Sequence, residues 1–156
     1  MGIRQIVTEG DEILSKVCRP VEKFDERLAQ LLDDMYETMN HADGIGIAAP
    51  QVGILRRALV IDLGEGDGKI ELINPEFLEQ KGEQTFQEGC LSCPGQWGET
   101  KRPAYVKIRA QDRQGGFFEM EAEGPLAVAC CHEIDHLNGI LFKERLIGEL
   151  EIEGKE

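Results

Sequence analysis

The chain has 156 residues, 41% of them hydrophobic, enough to bury one good core and consistent with a single domain. Thirty acidic against 17 basic side chains leave a formal net charge of −13, which argues against a direct nucleic-acid-binding surface, since binding phosphates takes clustered Lys and Arg. No apolar run approaches the ~20 residues that span a bilayer, the N-terminus carries no secretion signal, and the odd number of cysteines, 5, suits a reducing compartment better than a disulfide framework, so a cytoplasmic protein with no membrane contact is expected.

From the N-terminus, Asp25 opens a helical pattern in which Leu28, Leu31, Leu32, Met35 and Met39 recur at helical spacing, ending near Gly44. That stripe reads as core, and His41 at its end reads as a solvated helix terminus rather than a ligand. Gly44-Ile45-Gly46-Ile47-Ala48-Ala49-Pro50-Gln51 follows. Such a run of small residues is either a tight turn into a buried strand or a place where backbone approaches an extended peptide closely. Strand-like stretches come next at residues 57–63, 70–74, 77–83, 105–110 and 117–122, broken by Gly-rich turns at 64–68 and 115–116. Gly124-Pro125 then starts a second helix, apolar through residues 126–131, with Asn138-Gly139 as its stop signal. Cys18 and Cys130 read as small buried hydrophobes. Residues 149–156 form a short acidic tail, expected to be a solvated, partly disordered end, after a single domain over residues 1–148. Helix, several strands, helix implies an α+β fold, a mostly antiparallel sheet wrapped around the second helix.

The second helix carries His132-Glu133-Ile134-Asp135-His136. On a helix that spacing sets two imidazoles one turn apart on one face, with Glu133 beside them as a base that is not itself a ligand. A third ligand must come from elsewhere, and Glu88-Gly89-Cys90-Leu91-Ser92-Cys93-Pro94 offers two thiols. Both thiols with both imidazoles would make a closed structural zinc site. One thiol, two imidazoles and an open position for water explain more, because a closed site has no use for Glu133. Val128 and Ala129 precede His132 by four and three positions and share its face, as pocket lining or as ordinary core.

Three segments, Gly44-Ile45-Gly46-Ile47-Ala48-Ala49-Pro50-Gln51, Glu88-Gly89-Cys90-Leu91-Ser92 and His132-Glu133-Ile134-Asp135-His136-Leu137-Asn138-Gly139, resemble in that order the motifs of the peptide deformylases, metallohydrolases that remove the formyl group from the initiator methionine of nascent proteins. Residues 3–7 and 139–142 also look like family segments. The resemblance implies that Cys90, His132 and His136 hold a divalent metal, iron(II) in the cell, although zinc, nickel and cobalt suit the same donors. It further implies Glu133 as general acid and base, the Leu91 N–H and the Gln51 amide as donors to the developing oxyanion, and Ile45, Gly46 and Gly89 as backbone partners of the substrate. Val128 and Ala129 become candidates for the methionine pocket, and Glu88, Asp135 and Arg102 candidates for the shell that orients the imidazoles. Expected partners are formyl-methionyl nascent peptides, with any ribosome contact local or transient. One departure stands out: the family usually has Gln where this chain has Cys131. Adjacent helical residues point about 100° apart, so Cys131 should face away from the metal. Two other readings stay open, a general metallopeptidase and a zinc-stabilised binding module that would need Cys93 as a ligand.

Overall fold

The computed structural model describes residues 2–64 and 68–152. Two helices, α1 (Glu26–His41) and α2 (Gly124–Leu137), pack with eight strands: β1 (Gly46–Ala48), β2 (Ala58–Ile61), β3 (Ile70–Lys81), β4 (Gln84–Cys90), β5 (Cys93–Arg102), β6 (Tyr105–Gln111), β7 (Phe117–Glu123) and β8 (Glu151–Ile152). Single 3-10 turns lie at Glu12–Ser15, Ala49–Val52 and Phe142–Arg145. All strand pairs are antiparallel, in a five-stranded sheet ordered β1-β2-β3-β6-β7 and a three-stranded sheet ordered β4-β5-β8. Among the described residues no helix is long and apolar enough to cross a membrane.

Strand alternation explains why the larger sheet takes a helix on each face. Leu59 and Ile61 of β2, with Leu72, Val106 and Ile108, meet Ala127, Ala129, Cys130, Ile134 and Leu137 of α2. Ala58 and Val60, one position out of phase, join Ile47 and Ile73 against Leu28, Leu31, Leu32, Met35 and Met39 of α1. Fully burying each of Leu32, Met35 and Met39 contributes roughly 1.5–3 kcal/mol, which anchors α1 to the sheet. The Asp25 carboxylate caps α1 by accepting from the Leu28 N–H at 3.2 Å. Helix α2 is different in kind, because every residue from Ala127 through Leu137 is buried, polar ones included. It also touches β4 and β5, so it lies between the two sheets as the fold's central rod.

Several elements depart from the sequence reading. The stretches at 70–74 and 77–83 are one strand, bent by register shifts where Asn74 takes φ 52° and Pro75 donates no hydrogen bond. Strands β4 and β5 were not read as strands, since Gly89, Pro94, Gly95 and Gly98 interrupt their alternation. At Gly98 a Cβ would meet Cδ2 of Leu146, which packs over this strand. The start of the acidic tail is β8, where Ile152 and Glu151 pair with Gln96 and Trp97 of β5 while both remain exposed. The turn at 64–68 lies in part outside the described residues, as does the tail beyond Ile152.

Candidate metal centre

Helical spacing puts His132 and His136 on one face of α2, their ring centroids 5.0 Å apart and nearly perpendicular. The end of β4 brings Cys90 to them, Sγ 3.2 Å from His136 Nε2. Ligand atoms of Cys90, His132 and His136 all lie within 4.8 Å of one another. A tetrahedral cation with bonds of ~2.0–2.3 Å would hold its ligands about 3.5 Å apart, so the donor set fits a divalent ion. Donor chemistry agrees. Burial drives the His136 imidazole well below its ordinary pKa and keeps it neutral, the ligating form. A hydrogen bond with Cys93, then burial and the nearby Glu133 carboxylate, favour the Cys90 thiol over its thiolate, so ionising this sulfur calls for a cation beside it. Cys93, though close enough to bond Cys90, is not in the triad, which leaves the closed four-ligand site without its fourth ligand.

Around the triad, a chain of charged side chains fixes the His132 imidazole. Glu88 accepts from His132 Nδ1 at 2.8 Å, turning Nε2 toward the triad. The same carboxylate takes both arms of the Arg102 fork at 2.7 and 2.9 Å and the Thr100 hydroxyl. Arg102 reaches on to Asp135 at 2.8 Å, and Arg145 closes the chain with two bonds of 3.1 Å to Asp135. Asp135 holds the two arginines and is linked to His132 through Arg102 and Glu88. Among the described residues His136 Nδ1 has no hydrogen-bond partner. Phe142, from the 3-10 turn after α2, stacks on His132 at 6.2 Å.

Glu133 is buried and its Oε1 has no hydrogen-bond partner among the described residues, while Oε2 lies 4.0 Å from His132 Nε2. Burial pushes its carboxyl up to about 7, the range in which a group both takes and returns a proton. Gly46 makes room for it: a Cβ there would lie 2.6 Å from Glu133 Oε2. Gln51 is buried on the adjoining turn, its carbonyl accepting from the Ala48 N–H at 2.9 Å and its amide donating to Ser92 Oγ at 3.1 Å and Cys90 Sγ at 3.5 Å. Leu91 packs its side chain where a Cβ of Gly44 would sit, 2.7 Å away. Ile45 is half exposed at the open edge of β1, and Gly89 lies in the last turnward stretch of β4. Val128 and Ala129 are both buried, and Ala129 belongs to the core against the larger sheet. His41 is exposed at the end of α1. Thr100 and Arg145 carry no signal in the sequence, and Ser92 and Phe142 stand there only inside motif segments with no role, since nothing near them in the chain signals contacts made across the fold.

A model of the polypeptide deformylases matches residues 3–150. The chain belongs to the polypeptide deformylase family. It is 58% identical to the peptide deformylase of Caldicellulosiruptor bescii, covering 98% of this chain and 93% of that one. Identity to peptide deformylase 1 of Bacillus subtilis is 51%, over 94% of this chain and 91% of the relative. The crystal structure of the peptide deformylase from Thermotoga maritima superposes with a TM-score of 0.91 at 42% identity, covering 95% of this chain and 100% of that one. Like the other deformylases, this enzyme removes the formyl group from nascent peptides and carries a Cys/His/His triad for a divalent metal.

Proposed function

We propose that this deformylase works through Glu133, and the observation that carries the reading is its unpartnered, buried carboxylate oxygen beside the Cys90, His132, His136 triad. A divalent cation held by those three side chains would acidify water and polarise the formyl oxygen. Glu133 takes the proton of the attacking water and later passes it to the leaving amine, yielding formate and a free N-terminal methionine. The Gln51 amide and the Leu91 N–H donate to the oxyanion as it develops. Ile45 and Gly46 on one side and Gly89 on the other pair with the substrate backbone as an added strand. Val128, four residues before His132, borders the methionine side chain, and Ala129 packs behind it. Residues 1–148 act as one catalytic domain with residues 149–156 as an appended tail, working in the cytoplasm beside the ribosome that presents the substrate.

We further propose iron(II) as the cellular ion. The test is formate release from formyl-Met-Ala-Ser after anaerobic purification, with metal content measured on the same sample. Iron-loaded enzyme should lose activity in air with oxygen added to Cys90 before Cys131, whereas nickel-loaded enzyme should persist. Formate release by enzyme carrying stoichiometric zinc alone would remove the iron assignment and leave the deformylation reading intact.

A further inference from the structure

Most arginines outside one region of this acidic chain have found a partner. Arg4 is bonded to Asp34, Arg102 to Glu88 and Asp135, Arg113 to Asp33 and Glu71, and Arg145 to Asp135. Arg57 donates to the Leu137 carbonyl at 3.0 Å, and Arg109 lies 4.4 Å over the Phe117 ring. A cleft of about 1030 Å³ beside the start of α1 holds the exceptions: next to the ion-paired Arg4 it gathers Arg19, Lys23, Arg27 and Arg56, with Glu22 and Asp25 as its acidic lining. Among the described residues Arg19, Lys23, Arg27 and Arg56 make no ion pair. Asp25 is already engaged as the cap of α1. The backbone even forces two of the cations together: Arg19 and Arg56 are partners in an isolated parallel bridge, with Arg57 N–H donating to the Arg19 carbonyl at 3.0 Å. Like charges set opposite each other cost stability. All four side chains are exposed, and although Arg56 donates to the Leu55 carbonyl at 3.4 Å, this chain with 30 carboxylates leaves their charges without an ion-pair partner among the described residues.

We propose that this cleft docks the phosphate backbone of RNA. Three of the four unpaired cations are arginines, whose planar fork matches phosphate oxygens in pairs. The walls between them are aliphatic, Val21, Leu28 and Leu31 among them, and among the described residues no aromatic ring lines the cleft, so phosphates rather than stacked bases are what it can hold. The cleft is also far larger than a single oxyanion requires. At physiological salt the screening length is about 8 Å, so the distant carboxylates that make the chain acidic act only weakly there. Nascent substrates are made on a particle rich in RNA, and a weak, sequence-independent contact would let the enzyme visit it and leave. This role goes beyond deformylation, and turnover of short peptides does not depend on it.

The experiment is fluorescence anisotropy of the metal-loaded enzyme with a fluorescein-labelled oligouridylate of about 20 nucleotides. Four phosphate contacts on a single strand give a salt slope of about −2.8, so raising salt from about 50 to about 200 mM should weaken binding roughly 50-fold. Reversing the cleft with Arg19→Glu, Lys23→Glu and Arg27→Glu together should weaken it at least ~10-fold at the lower salt, and the milder pair Arg19→Gln with Arg27→Gln several-fold. A control triple outside the cleft lining, Lys81→Glu on β3, Lys101→Glu on β5 and Lys107→Glu on β6, should change it less than ~2-fold, and all three variants should release formate from formyl-Met-Ala-Ser at the normal rate. Absence of binding at the lower salt, equal loss in the control triple, or equal competition by poly-glutamate, which would mark an acidic protein partner, each overturns the proposal.

Discussion

Glu133 is the residue on which chemistry and structure meet. It lies between two ligands without being one, so metal binding and turnover should separate when it is changed. Glu133→Ala is expected to retain about one metal per chain while losing roughly 10²-fold or more in kcat, as loss of a general acid and base does; metal analysis and formate release on one preparation check both. Cys131 is the complementary case. It is buried in the core that α2 shares with the larger sheet, and burial raises its thiol to about 11, so it is an inert packing residue in the position where the family resemblance places Gln. Cys131→Gln should keep metal and most activity while the larger side chain lowers stability by about 1–3 kcal/mol, read as a fall in thermal midpoint. Loss of metal in that variant would contradict the triad.

At the scale of elements, the short strand β1 matters through what it lacks. Gly46 faces Glu133 so closely that a methyl group would sit 2.6 Å from Oε2, and the buried glutamate has little space to retreat. Gly46→Ala should therefore displace the Glu133 carboxylate, costing about 1–3 kcal/mol of stability and, through the role proposed for it, more than tenfold in kcat with metal retained. Gly148→Ala is the control, since a Cβ there meets nothing within 4 Å and the backbone is not left-handed, and it should leave both measurements unchanged. The small-residue run holds a turn, strand β1 entering a 3-10 turn at Ala49–Val52, and Gly46 within it is where Glu133 leaves no room for a side chain.

For the whole molecule, the ionic chain from His132 through Glu88, Arg102 and Asp135 to Arg145 ties the three-stranded sheet to α2 and to the turn that follows it. Burial alone would raise the Glu88 carboxyl, but the Arg102 fork and His132 outweigh it and hold it down to about 2. The sign follows: a carboxyl whose folded pKa is depressed contributes stability that is complete above its unfolded value near 4.5 and is lost as pH falls toward 2. The contribution is on the order of 3 kcal/mol. Unfolding midpoints of the metal-free protein should therefore drop steeply over that window, and Glu88→Gln should flatten the drop while lowering stability at neutral pH by about 3–5 kcal/mol, because Arg102 is left buried with half its partners. An unchanged acid slope in Glu88→Gln would show that other carboxylates carry it.

The two helices, the ligand pair one turn apart on α2, the base beside it and the α+β order of elements were all legible along the chain, because each depends on residues within a few positions of one another. Periodicity makes α1 and α2, and the i, i+4 spacing makes the imidazole pair, whatever else the fold does. Which thiol joins them was not legible from spacing, since Cys90 and Cys93 differ only in where the β4 to β5 turn delivers them. Strands β4 and β5 were invisible for a related reason: their glycines and charges break alternation, and what holds them is pairing with each other and contact with α2 and Leu146. Thr100, Arg102 and Arg145 lie 32, 30 and 13 positions from His132, too far for any local pattern to reveal an ion chain whose members meet only after both sheets close on the central helix. Burial is the physical reason tertiary structure decided this part: unpaired charges cannot be left in that interior, so the fold that buries Glu88 and Asp135 must bring arginines to them.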